Sequence, residues 1–232
     1  MGSNPTASAI LKEDLPMAQV LNAIACFDWL EAIKTAAPVA TAVIAFMALR
    51  NWKRQDKAKR EAEFIDGLVE AAHAYIADLP APIKIVEMAK IGMASHAPTW
   101  EAGEAPEIAV KGAIAFIEKD GERVGKRLLE ALATPRSSVI TLRSLAAKGQ
   151  VFNFADYGKC QDAVKMLTWH FDRMEGFGAY ISTSSWYWDN PEVRESLKRI
   201  MSIDADELRA GVQDSHVALI EFARATYKRI YG

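Results

Sequence analysis

The sequence predicts an all-α protein, a single amino-terminal transmembrane helix followed by an antiparallel bundle of about six or seven helices. Three observations predict it. Apolar residues after Asp56 recur at spacings of three and four, without the alternation that marks strands. Helix start and stop residues punctuate that pattern at short intervals, as in a bundle with short connections. Before Asp56, an uncharged run over residues 35–49 leads directly into a dense basic cluster.

Taken in order, residues 1–28 read as a tail or interfacial helix, with Met17, Val20, Leu21, Ile24 and Phe27 at helical spacing. No basic region leads into an apolar stretch with a cleavage site, so a removable signal is not expected. Gly2 and Thr6 meet only the letter of a short myristoylation pattern.

Residues 29–52 read as the anchor. The run 35–49 rises about 22 Å as a helix, less than the roughly 30 Å of a bilayer core. Trp29 and Trp52 bracket it about 34 Å apart, a separation suited to two interfacial aromatics. Glu31 and Lys34 lie near its start, where long side chains bend toward headgroups.

Charge asymmetry sets the expected orientation. Arg50, Lys53, Arg54, Lys57, Lys59 and Arg60 stand against Asp56 alone, whereas Glu13, Asp14, Asp28 and Glu31 outnumber Lys12 and Lys34. The positive-inside rule keeps the basic side cytoplasmic, and these six cations are the candidate membrane-surface residues. The competing reading is a buried alanine-rich helix that continues into an exposed basic one.

Residues 53–232 read as the cytoplasmic helical domain. Phe64, Leu68, Ala71, Ala72 and Tyr75 form one apolar face, ended by Pro80. A second helix is expected from Ile83 to His96, before the loop "APTWEAGEAPE". A third runs from about Pro106 to Thr134 on Ile108, Ile114, Ile117, Val124, Leu128 and Leu132, with Gly121 and Gly125 as possible interruptions. A shorter one follows Pro135, with a serine at its start and Gly149 at its end. Val164, Met166, Leu167, Phe171 and Met174 mark the next core face. Asn190 with Pro191 is a cap and first helical position, and a last helix begins near Asp204, with Lys228 and Arg229 in its final turn.

Composition narrows function by exclusion. With 28 Lys and Arg against 30 Asp and Glu, the net charge of -2 offers no general attraction to nucleic acid. Cys26 and Cys160 lack zinc or disulfide-scaffold spacing. No Walker, GxGxxG, GxSxG or HExxH pattern occurs, and no cofactor is expected. Glu70 and His73 stand at the i, i+3 spacing of di-metal bundles, but a second such pair is missing. His216 shares a helical side with Val212 and Leu219 and is expected to be a core histidine with one hydrogen-bond partner.

The candidate recognition surface is "STSSWYWDNP". Trp186, Tyr187 and Trp188 fall in one turn, where some cap the core and the rest are available to a protein partner. The order of an apolar segment, "RNWKRQDKAKREAE" and a helical body resembles, in layout alone, small single-pass proteins of bacterial membranes. That likeness implies the bacterial inner membrane with the carboxy-terminal domain in the cytoplasm. The expected function is a membrane-anchored interaction, regulatory or scaffolding module without evident catalysis. The alternative is a soluble bundle that binds a small molecule or metal, and small residues in 35–49 also permit homo-oligomers.

Overall fold

The computed structural model describes residues 29–98, 100 and 103–232, and among them every regular element is a helix. The expectations for residues 1–28 lie outside this range. The chain divides into two compact units, Met1–Asp56 and Lys57–Gly232. Helix α1 (Trp29–Asp78) begins in the first and ends in the second.

In the first unit α1 runs through Pro38 without a break. Every side chain over 36–55 is exposed. Among the described residues no helix is long and apolar enough to cross a membrane, in contrast to the transmembrane helix expected over 29–52. The physical reason is length: the apolar run stops at Arg50, and 36–49 rises only about 21 Å.

The second unit is a helical body with one continuous core. The part of α1 that lies here buries Phe64, Ile65, Leu68, Ala72 and Tyr75, the face that the sequence pattern predicts. Tyr75 is fully buried, and its hydroxyl donates to the Leu167 carbonyl at 2.9 Å, so this polar group is satisfied deep in the body. α1 stops at Asp78, as the sequence expects ahead of Pro80, and Pro80 itself opens α2 (Pro80–Ser95) at the first position, where a missing N–H costs nothing.

Next, α3 (Ala105–Phe116) passes through a π turn (Ile117–Gly121) into α4 (Glu122–Lys148) without leaving helical geometry. The stop expected at Pro135 does not occur. Pro135 is buried on the core face, and Leu128, Leu132, Val139 and Leu142 hold the helix on both sides of the one lost backbone bond. Two expected helices are therefore one, and the body has fewer separate helices than the sequence suggests.

Gly121 closes the π turn that interrupts the α-helix, as expected, whereas Gly125 lies inside α4 without breaking it; both let the rod approach α5 (Tyr157–Ile181) closely. A Cβ on Gly125 would lie 2.6 Å from the Gly178 carbonyl oxygen and 2.7 Å from the Ser182 backbone nitrogen, and one on Gly121 would strike the Ile181 carbonyl. The two helices are antiparallel: Gly125 meets Gly178, while Arg143 at the other end donates to Asp172 at 2.6 Å. They connect through a short 3₁₀ turn (Gly149–Phe152), then Asn153 and Asp156 in the left-handed region, which Asn and Asp tolerate.

The remaining elements are α6 (Pro191–Met201) and α7 (Ala205–Tyr231). Asn190 accepts from the Glu192 N–H at 2.8 Å, and Asp204 from Asp206 and Glu207 at 2.9 Å, so the expected starts carry real caps. Leu208, Val212, Leu219, Phe222 and Ala223 are buried, as their spacing predicts. Met166, expected in the core, is exposed on α5.

Candidate functional site

The aromatic turn between α5 and α6 divides its three rings between two tasks. Trp186 stacks on Tyr180 with centroids 4.5 Å apart, and its indole N–H donates to the Tyr180 carbonyl at 3.0 Å. Tyr180 in turn donates to the Val193 carbonyl at 2.8 Å, which ties the turn to the start of α6. Trp188 packs against the core. Tyr187 alone among the three points outward, at 70 % exposure. The exposed part of this turn therefore centres on Tyr187, with Trp186 and Trp188 beneath it.

The six candidate membrane-surface residues, Arg50, Lys53, Arg54, Lys57, Lys59 and Arg60, are all exposed on α1. Lys57 lies 3.6 Å from Glu61 and Lys59 lies 3.8 Å from Glu63, one helical turn on. Glu61 is buried and also sits 3.8 Å from Arg229 of α7, so Lys57 shares its carboxylate with an internal contact of the body.

The histidines come together in a way their spacing does not announce. His73 on α1 and His216 on α7 meet edge to face, with ring centroids 5.0 Å apart. The Nε2 of His216 is buried without a hydrogen-bond partner, which corrects the expectation of a satisfied core histidine. Burial, then the neighbouring His73, pushes the His216 pKa below its ordinary value. Glu70 and His73 line an open groove with Asp66 and Tyr227, and Tyr227 donates to Asp66. Among the described residues no group of three or more His, Cys, Asp or Glu is placed to hold a metal ion.

His170 on α5 is more deeply buried, 2 % exposed, and neither ring nitrogen has a partner. It packs against Gly211 of α7. Burial lowers its pKa, with the nearby Arg173 acting in the same direction and Glu207 opposing. Cys160 is fully buried and its thiol is pushed up to about 12, which leaves no thiolate for nucleophilic chemistry near neutral pH. Lys90 on α2 is half-buried, and its ammonium donates to the Met201 carbonyl at the end of α6, a structural cap. Burial lowers its pKa and Asp204 opposes that shift.

Sequence reasoning finds the aromatic turn because three large rings in a row stand out. It misses the His73–His216 pair, which depends on helices far apart in the chain. No protein-family model, no curated protein and no solved structure matches this chain.

Proposed function

We propose that this chain is a membrane-anchored helical protein in which residues 29–52 enter the bilayer as a single pass, and Lys57–Gly232 is an interaction module with a regulatory or scaffolding role. The observation that carries this reading is the exposure of apolar side chains around the whole circumference of α1. Val39, Val43, Ile44, Phe46, Met47, Leu49 and Trp52 are all 48 to 67 % exposed. At 100° per residue these positions leave no polar face on the helix. A helix apolar on every side belongs in a protein core or in lipid.

The polar ends fit lipid as well. Residues 32–49 carry Lys34 as their one charge and rise about 27 Å, so the anchor calls for slight local thinning and for Lys34 and Arg50 to reach toward headgroups. The basic residues from Arg50 to Arg60 favour the cytoplasmic side of a bacterial membrane, each adding on the order of 1 kcal/mol near anionic lipid. Tyr187 is the exposed aromatic through which the body meets a protein partner.

The test is alkaline carbonate extraction of membranes from cells that produce the full chain, with the variant Ile44→Lys beside it. Lysine at the centre of a span costs about 2.5–3.5 kcal/mol, enough to release a short anchor. The expected result is parent protein in the pellet and variant protein in the supernatant. Complete extraction of the parent chain would overturn the anchor.

A further inference from the structure

Helices α2 and α3–α4 cross antiparallel. Gly112 lies against Ala97 and the Met93 carbonyl, and four residues on Phe116 lies against Gly92, so one helix climbs as the other descends. Beyond this crossing they part and leave an open groove of about 450 Å³, within the size range of small-molecule sites. Ala81, Lys84, Ile85, Met88 and Ala89 form one wall, the i, i+3, i+4, i+7, i+8 face of α2. Phe116, Arg123, Val124 and Arg127 form the other.

The antiparallel pairing sorts these residues along the groove. Phe116, Met88 and Ala89 gather at the end near Gly92, and Lys84, Arg123 and Arg127 at the end near Ala81, with Ile85 and Val124 between. One end is apolar, the other cationic, and no carboxylate lines either. Lys84 makes one bond to Glu87 at 3.0 Å, and Arg123 one to Asp120 at 2.8 Å. Glu87 is shared further with Arg209. Arg127 makes no hydrogen bond or ion pair among the described residues. At the opposite end Met88 leaves more than half of its surface in water. Unmet positive charge at one end and uncovered apolar surface at the other ask for a single ligand that carries both complements.

We infer that this groove binds an anionic amphiphile, an unbranched acyl chain with a carboxylate head. The head lies on Arg127, Arg123 and Lys84, and the tail runs over Ile85 and Met88 toward Phe116. From Ala81 to Ala89 the groove wall extends about 12 Å, which suits a tail of medium length. Arginine supplies the planar fork that carboxylates favour, and methionine adapts to a flexible chain. The inference is independent of the anchor and stands whether or not residues 29–52 enter a bilayer.

The experiment uses the full chain in nanodiscs of uncharged phosphatidylcholine and a decanoate probe with a photoreactive diazirine at its tail end, with the adducts mapped by mass spectrometry. The expected adducts fall on peptides that contain Met88 and Phe116. Decanoate displaces the probe there and decanol does not. The double variant Arg123→Glu/Arg127→Glu lowers labelling at these peptides about tenfold. Arg127→Gln changes a single exposed, unpaired residue, keeps the fold, and lowers labelling about threefold. Labelling confined to residues 32–52, or displacement by decanol as effective as by decanoate, would overturn the inference. So would unchanged labelling of Arg127→Gln.

Discussion

Gly211→Ala pits helix propensity against packing, and the structure says which wins. Gly211 sits inside α7, where alanine is favoured over glycine by about 1 kcal/mol. The new Cβ, however, would lie 2.7 Å from Cε1 of His170 and closer still to its Nε2. His170 is 2 % exposed, so its ring has no solvent-filled space to swing into. Overpacking of this kind costs about 1–3 kcal/mol, and the clash here is with the body of a ring rather than the tip of a flexible chain. With the propensity gain subtracted, Gly211→Ala is expected to destabilise the helical body by up to about 2 kcal/mol, which reaches roughly 8 °C in Tm for a domain of this size. Urea and thermal unfolding followed by circular dichroism measure it. In a His170→Ala background the obstacle is gone, and the same substitution is expected to become stabilising by up to about 1 kcal/mol, a reversal of sign read as a double-mutant cycle. A Gly211→Ala protein more stable than its parent would refute the packing argument.

Further expectations concern other sites. His170 and His216 both have pKa values lowered by burial, so the unfolded chain binds more protons as pH falls through about 6.5, and the body loses stability from pH 7.5 to 5.5, before most carboxylates titrate. His170→Leu removes one of these groups together with two unpartnered buried nitrogens; its urea midpoint is expected to drop less over that interval, and an equal drop would count against the assignment. Gly125→Ala places a methyl 2.6 Å from a backbone carbonyl that cannot turn aside, and is expected to destabilise by about 1–3 kcal/mol despite its better helix propensity, as denaturant titration will report. Tyr187→Ala removes an exposed ring and is expected to stay within about 0.5 kcal/mol of the parent in urea unfolding. Trp186→Ala, by contrast, loses a ring stack and a hydrogen bond and is expected to lower stability by about 1–2 kcal/mol.

Helical periodicity and caps made most of the body legible from the sequence. Phe64, Leu68, Tyr75, Leu167, Phe171, Leu219 and Phe222 are buried where their spacing puts them, and Asn190 and Asp204 cap where their side chains are able to. Local rules fail where tertiary contacts override them. Pro135 reads as a terminator, yet burial on both sides carries the helix through it. Gly121 and Gly125 read as weak points, yet they are the surface on which α5 lies. The anchor reading rests on the charge and tryptophan flanks, because the apolar run 35–49 is short by itself, and among the described residues no helix is both long and apolar enough to cross a membrane. Of the candidate site, the aromatic turn was legible because it is contiguous, but its division into one outward ring and two held inward depends on Tyr180 and the core. The His73–His216 contact and the groove lined by Lys84, Arg123 and Arg127 arise from pairings between distant helices, which no spacing within one helix encodes.

The π turn over Ile117–Gly121 acts as a phase shifter in the rod formed by α3 and α4. One additional residue in a turn rotates everything beyond it by about 100° relative to an unbroken helix. Val110 and Ala113 before the turn and Leu128 and Leu132 beyond it are all buried, and the turn sets the second pair about 100° from the direction an unbroken helix would give it. Deleting a single residue there would shorten the rod by little, but it would swing one of these two faces out of register. The chain would then have to choose which half of its core to keep, so the spare residue works as an indexing pin between two packing layers.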